Sequence, residues 1–106
     1  MPRQEDIINR TAAMEQRRVN DWKRVLNMPE GRRIVWNLLQ ACNFRTHGFV
    51  PGDQSATAFH CGQISIGLFI ADRVRQANAP ALEQMEQEYV AEVKQINKEL
   101  EDVEEL

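Results

Sequence analysis

The chain is expected to fold as an all-α domain, with a three-helix core and a long C-terminal helix. Three observations predict this. Apolar residues recur three and four apart over most of the 106 residues, the pattern of one helix face. Breaks rich in proline and glycine cut that pattern into four pieces. Both Trp, all four Phe and all five Gly fall between Asp21 and Ile70. That stretch reads as the packed heart, with polar helical arms on either side.

The first helix is expected over about 4–27. After position 18 it is amphipathic, with Val19, Trp22, Val25 and Leu26 at helical spacing. Before that the apolar stripe is thin: Ile7, Ile8 and Met14. Residues 1–18 are therefore assigned as a helical N-terminal arm, either a solvated overhang or a face that needs another surface. Asn27-Met28-Pro29-Glu30-Gly31 is the first break, because proline at a first helical position followed by an acid is a helix-start signal. The second helix should cover about 29–42. Its buried stripe is read as Ile34, Val35, Leu38, Leu39 and Cys42. Trp36 lies off that stripe and faces a second neighbour, inside the domain or in another subunit.

Asn43 to Gln54 is a loop holding the turn-formers Gly48, Pro51, Gly52 and Asp53. Phe44 and Phe49 are expected to pin it to the core. The third helix starts at Asp53 or Ser55 as N-cap and runs to about Ala77. Phe59, Gln63, Ile66, Ile70 and Val74 share one of its faces. Gly62 and Gly67 each cost about 1 kcal/mol of helix propensity against Ala, which predicts close approach by a neighbouring helix at both. The resulting core, spanning 19–78, would gather Trp22, Leu26, Leu38, Leu39, Phe59, Ile66 and Ile70.

Asn78-Ala79-Pro80 is the second break. Residues 79–106 then read as one long amphipathic helix with an acidic end. Leu82, Met85 and Tyr89 recur eleven residues on as Val93, Ile96 and Leu100, with Val103 beyond. An eleven-residue repeat favours a nearly straight or slightly right-handed association. Acids crowd its last turns, where they oppose the helix dipole. That end either frays or meets a basic surface.

The net charge of −3 hides an asymmetry. Residues 1–53 hold nine Lys/Arg against six Asp/Glu, and residues 54–106 hold four against ten. Lys23, Arg24, Arg32 and Arg33 flank the first helix junction, where they could hold phosphate or the carboxylates of a partner protein. A chain basic at one end and acidic at the other can pair with its own copies or offer each patch to a different partner. Tyr89, Val93, Ile96 and Leu100 join Trp36 and the four cations as the expected partner-binding residues.

Catalysis finds little footing. Cys42, His47, His60 and Cys61 are the one metal-like group, but their spacing is not that of a zinc finger, and adjacent His60 and Cys61 point about 100° apart on a helix. The expectation is no bound metal and no cofactor, with the cysteines as reduced, buried thiols. A cysteine nucleophile would need a thiolate-stabilising environment and an orienting group, and nothing flags one. Walker, dinucleotide and zincin motifs are missing from the sequence. No apolar run approaches the ~20 residues of a membrane span. The first ten residues lack the apolar stretch of a secretory signal, which points to cytoplasm or to a particle assembled there.

An ordered set of residues resembles a family of small structural proteins of short-tailed bacteriophages, of the Bordetella-phage type. It runs Asp21-Trp22, Val25-Leu26, Pro29 to Arg33, Trp36, Leu38-Leu39, Cys42, Phe44-Arg45, Phe49, Ala58-Phe59, Gly62 and Ile66-Gly67-Leu68. About half the chain is covered. Two places depart from the family pattern: Met28 stands where a small hydroxyl residue is usual, and His60-Cys61-Gly62-Gln63-Ile64 replaces a charged stretch. The resemblance implies a non-enzymatic virion component, acting in head–tail, tail or ejection-apparatus assembly through helix-mediated contacts. It implies location in the virion, and in host cytoplasm during assembly, with copies of itself or other virion proteins as partners. It brings no catalytic residues. The alternative is a small assembly or regulatory module contacting DNA through the basic cluster. A small enzyme using Cys42 or Cys61 is a remote third reading.

Overall fold

The computed structural model describes residues 3–45 and 48–104. Among them lie four helices: α1 (Gln4–Asn27), α2 (Pro29–Ala41), α3 (Gln54–Ala77) and α4 (Ala81–Glu104). The architecture is all-α, and every break falls where the local chemistry puts it. Pro29 opens α2, and its missing N–H is one that a first turn leaves unpaired anyway. α2 ends against Asn43, whose φ of 49° is the left-handed conformation that Asn tolerates. Val50 to Asp53 make a turn closed by Asp53 N–H donating to the Val50 carbonyl at 3.2 Å. Gly52 takes the positive φ, 75°, that this turn requires after Pro51. Asp53 then caps α3, its carboxylate accepting from the Ala56 N–H at 2.9 Å. Thr57 locks the same corner: its hydroxyl accepts from Val50 N–H at 2.9 Å and donates to the Asp53 carbonyl at 2.9 Å.

α1 packs on α2 and α3, α2 on α3 and α4, and α3 on α4. The buried cluster is Leu26, Val35, Trp36, Leu39, Phe44, Ala71, Val74, Ala77, Ala81, Leu82 and Met85, with Trp22, Val25 and Ile70 packed against it. The first turns of α4 therefore belong to the core, which is built by four helices and not three. Trp36 is 5% exposed, and its second neighbour is α4: the ring centroid of Tyr89 stands 5.8 Å from its own.

Several expected core positions lie outside. Leu39 is fully buried, but Leu38 is 49% exposed, and Ile34 is exposed beside it. On α3 the buried face carries Gly67, Ala71 and Val74, while Phe59 and Ile66 point to solvent. Phe44 pins the loop as expected, whereas Phe49 is exposed. At the helical positions the physical reason is common: these helices carry apolar residues on two faces, and periodicity alone does not say which one is covered. Cys61 is exposed and Cys42 only half-buried, so neither is the buried thiol expected. His47 lies outside the described residues.

The glycines divide. A Cβ at Gly67 would stand 2.5 Å from Phe44 Cβ and 3.0 Å from Cys42 Cβ, so here the close approach is real, against the chain that follows α2. At Gly62 nothing lies within 4 Å, and the expected contact is not made. Gly31, not singled out from sequence, is the tightest: a Cβ there would collide with the Val25 carbonyl across the α1–α2 corner.

The molecule is long and thin, 74 × 42 × 18 Å, with a radius of gyration of 19.4 Å. A compact chain of this length would have about 13 Å. The excess comes from overhangs. Residues 4–14 of α1 and 94–104 of α4 are exposed throughout.

Candidate partner-binding surface

Between α2 and α4 runs a groove of about 480 Å³, lined by Arg32, Arg33, Trp36, Asn37, Met85, Glu88, Tyr89 and Glu92. It unites four of the nine expected partner residues: Arg32, Arg33, Trp36 and Tyr89. Their roles differ. Arg32 is engaged within the chain, its Nε donating to Glu88 Oε1 at 2.8 Å and its Nη1 to the Leu26 carbonyl at 2.9 Å. Leu26 sits in the last turn of α1, where carbonyls have no intrahelical partner, so one guanidinium ties α1, α2 and α4 together. Trp36 forms the groove floor; its indole N–H is buried without an acceptor among the described residues. Arg33, with only a 4.0 Å approach to Glu30, and half-exposed Tyr89 are what the groove presents outward.

Beside the groove, Arg45 grips Glu86 with two bonds, 2.9 and 3.2 Å, and lies over the rings of Phe44 and Trp36 at 5.2 and 5.7 Å. The hydrogen bond and positive charge of Arg45 hold the Glu86 carboxyl below its ordinary value. This clasp fastens the loop after α2 to α4. Glu86, Glu88 and Arg45 were not foreseen as a group; their partners lie 41 and 56 residues apart, and no local pattern signals such a pairing.

From the groove the apolar face of α4 continues outward. Leu82 and Met85 are buried, Tyr89 is half-exposed, and Ile96, Leu100 and Val103 are exposed. At 100° per residue these positions and Val93 fall on one stripe. The face that holds α4 to the core thus runs on beyond it for about 20 Å. Lys23 and Arg24 lie elsewhere, on the exposed side of α1; Arg24 borders a shallow depression with Arg17, Asn20 and Asp21. Among the described residues no three metal-ligating side chains converge, and no helix is long and apolar enough to cross a membrane.

Residues 22–87 match the family model described as Bbp19-like phage protein. The chain belongs to this family. Every one of the eleven core residues, from Leu26 to Met85, falls inside the matched segment, which ends two residues before Tyr89. The first 18 residues of α1 and the overhang of α4 lie outside it. The expected resemblance, placed over about 21–70, thus extends through α3 and the first turns of α4. Curated proteins and solved structures give no match.

Proposed function

We propose that this phage protein is a non-enzymatic virion component acting in head–tail, tail or ejection-apparatus assembly, with α4 as its docking element. One observation carries the reading: the apolar stripe of α4 begins in the core and continues beyond it, with Tyr89, Ile96, Leu100 and Val103 exposed and Val93 half-buried. Apolar faces left in water mark partner surfaces. The groove beside Tyr89, edged by Arg33, Asn37 and Glu92, gives the docking partner a polar rim. Glu99, Glu101, Asp102 and Glu104 near the tip suit a basic surface on that partner. Exposed ion pairs contribute under about 1 kcal/mol each, so the stripe supplies affinity and the acids supply orientation.

The basic cluster supports a DNA-contacting role less well. Arg32 is held by Glu88 and a backbone carbonyl, and Lys23 and Arg24 stand apart from Arg33 on another helix. The test is made in particles. The protein should be found in purified virions, and deletion of residues 90–106 should remove it from them. Incorporation at the parental level without α4's outer half would sink the proposal.

A further inference from the structure

The outward face of α3 is a second, separate surface. Phe59, Ile66 and Phe69 are 64%, 59% and 55% exposed. They lie on one stripe with Gly62, at intervals of three, four and three residues, which is the a/d pattern of a two-helix seam. The helix around them is unusual for a surface: residues 54–71 hold no Asp, Glu, Lys or Arg. Water-facing helices ordinarily carry charge on that side. Gly62, in the middle of the stripe, has nothing within 4 Å of where a Cβ would stand, so it is a notch open to solvent.

We propose that a second copy of this chain covers this stripe, its α3 antiparallel to the first. The spacing is self-complementary under a twofold axis at the level of Ile64. Antiparallel seams set each a position against a d position. Phe59 then meets the partner's Phe69, and Gly62 meets the partner's Ile66, the bulkiest aliphatic residue of the stripe entering the one notch. Ring stacks close both ends of the seam. The next position of the stripe, Arg73, is engaged within its own chain, 3.5 Å from Glu15 and 4.9 Å over the Phe69 ring, so the apolar seam ends at Phe69. Such an isologous contact closes on itself as a dimer. The exposed parts of four Phe and two Ile amount to roughly 500–800 Å², below the ~1,200–2,000 Å² of stable complexes and in the range of weak, transient contacts. The dimer therefore forms reversibly and with concentration. This surface is distinct from α4 and does not rest on its role.

Sedimentation equilibrium on the full chain, over a wide micromolar concentration series, should show a monomer–dimer equilibrium. Ile66→Glu should weaken it about a hundredfold, because a carboxylate would be buried unpaired. Gly62→Lys should weaken it as well. Mixing the two variants should restore a dimer, since the new Lys and Glu then face each other in one layer while the other layer stays native. Both positions are exposed, so both variants should keep parental helicity by circular dichroism. Deleting residues 90–106 should leave the dimer intact. A parental chain that stays monomeric throughout overturns the proposal, as does an Ile66→Glu variant that associates normally, or a mixture that fails to pair. Association lost on the 90–106 deletion yet untouched by Ile66→Glu would assign it to α4, overturning this inference and leaving the docking role of α4 standing.

Discussion

Replacing Gly62, Gly67 and Gly31 by alanine, one at a time, separates helix propensity from packing. Every substitution inside a helix gains about 1 kcal/mol of propensity. At Gly62 nothing opposes the gain, because the space is open. The melting temperature should rise by about 4–8 °C in a domain this size. At Gly67 the new methyl meets Phe44 Cβ at 2.5 Å and Cys42 Cβ at 3.0 Å. Both are anchored to backbone and cannot swing aside. Overpacking costs about 1–3 kcal/mol, so the net effect is a loss of up to about 2 kcal/mol. At Gly31 the obstacle is the Val25 carbonyl itself, and the loss should be the largest of the three. Thermal melts by circular dichroism, at concentrations too low for dimers, provide the assay. If Gly67→Ala stabilises the fold as Gly62→Ala does, the close approach at Gly67 is wrong.

The core register can be checked on neighbouring residues: Leu39→Ala should cost about 2–5 kcal/mol in urea denaturation, and half-exposed Leu38→Ala about 1 kcal/mol or less. Glu86 should contribute to acid sensitivity. Its carboxyl titrates below its ordinary value because of Arg45, so its contribution is present above that ordinary value and is lost as pH falls through the lowered one. Glu86→Gln should therefore flatten the acid limb of a stability–pH profile, and an unchanged limb would remove the clasp from the account. Deleting residues 90–106 should leave the melting transition cooperative, since Leu82 and Met85 remain, while particle incorporation is lost.

Helix boundaries were legible because the punctuation is chemical. Pro29, the Pro51-Gly52-Asp53 turn and Pro80 each act on the backbone within one or two residues, and tertiary packing does not override them. Which face is buried was less legible. Ile34 and Leu38 are as apolar as Val35 and Leu39, and only the packing of α1, α3 and α4 around α2 decides between them. Ala71, Ala77 and Ala81 are core residues with little hydropathic signal; they are buried because helices cross closely there. Of the candidate site, the stripe from Tyr89 to Leu100 could be read directly, since its spacing outruns any small core. The engagement of Arg32 by Glu88 could not, because it depends on where α4 lands. The charge-free run from 54 to 71 reads alike for a buried face and for one covered by a partner, so the sequence does not show that Phe59 and Ile66 face outward.

The thinness of the molecule has a practical consequence for any count of its copies. A radius of gyration of 19.4 Å is that of a compact globule of roughly 300 residues, nearly three times this chain. On a gel-filtration column calibrated with round proteins, one copy should elute ahead of its true mass. Its frictional drag should likewise exceed that of a sphere of equal mass. Stoichiometry for this protein must therefore come from methods that read mass independently of shape, and a large apparent size in dilute solution is the signature of overhanging helices on a single chain.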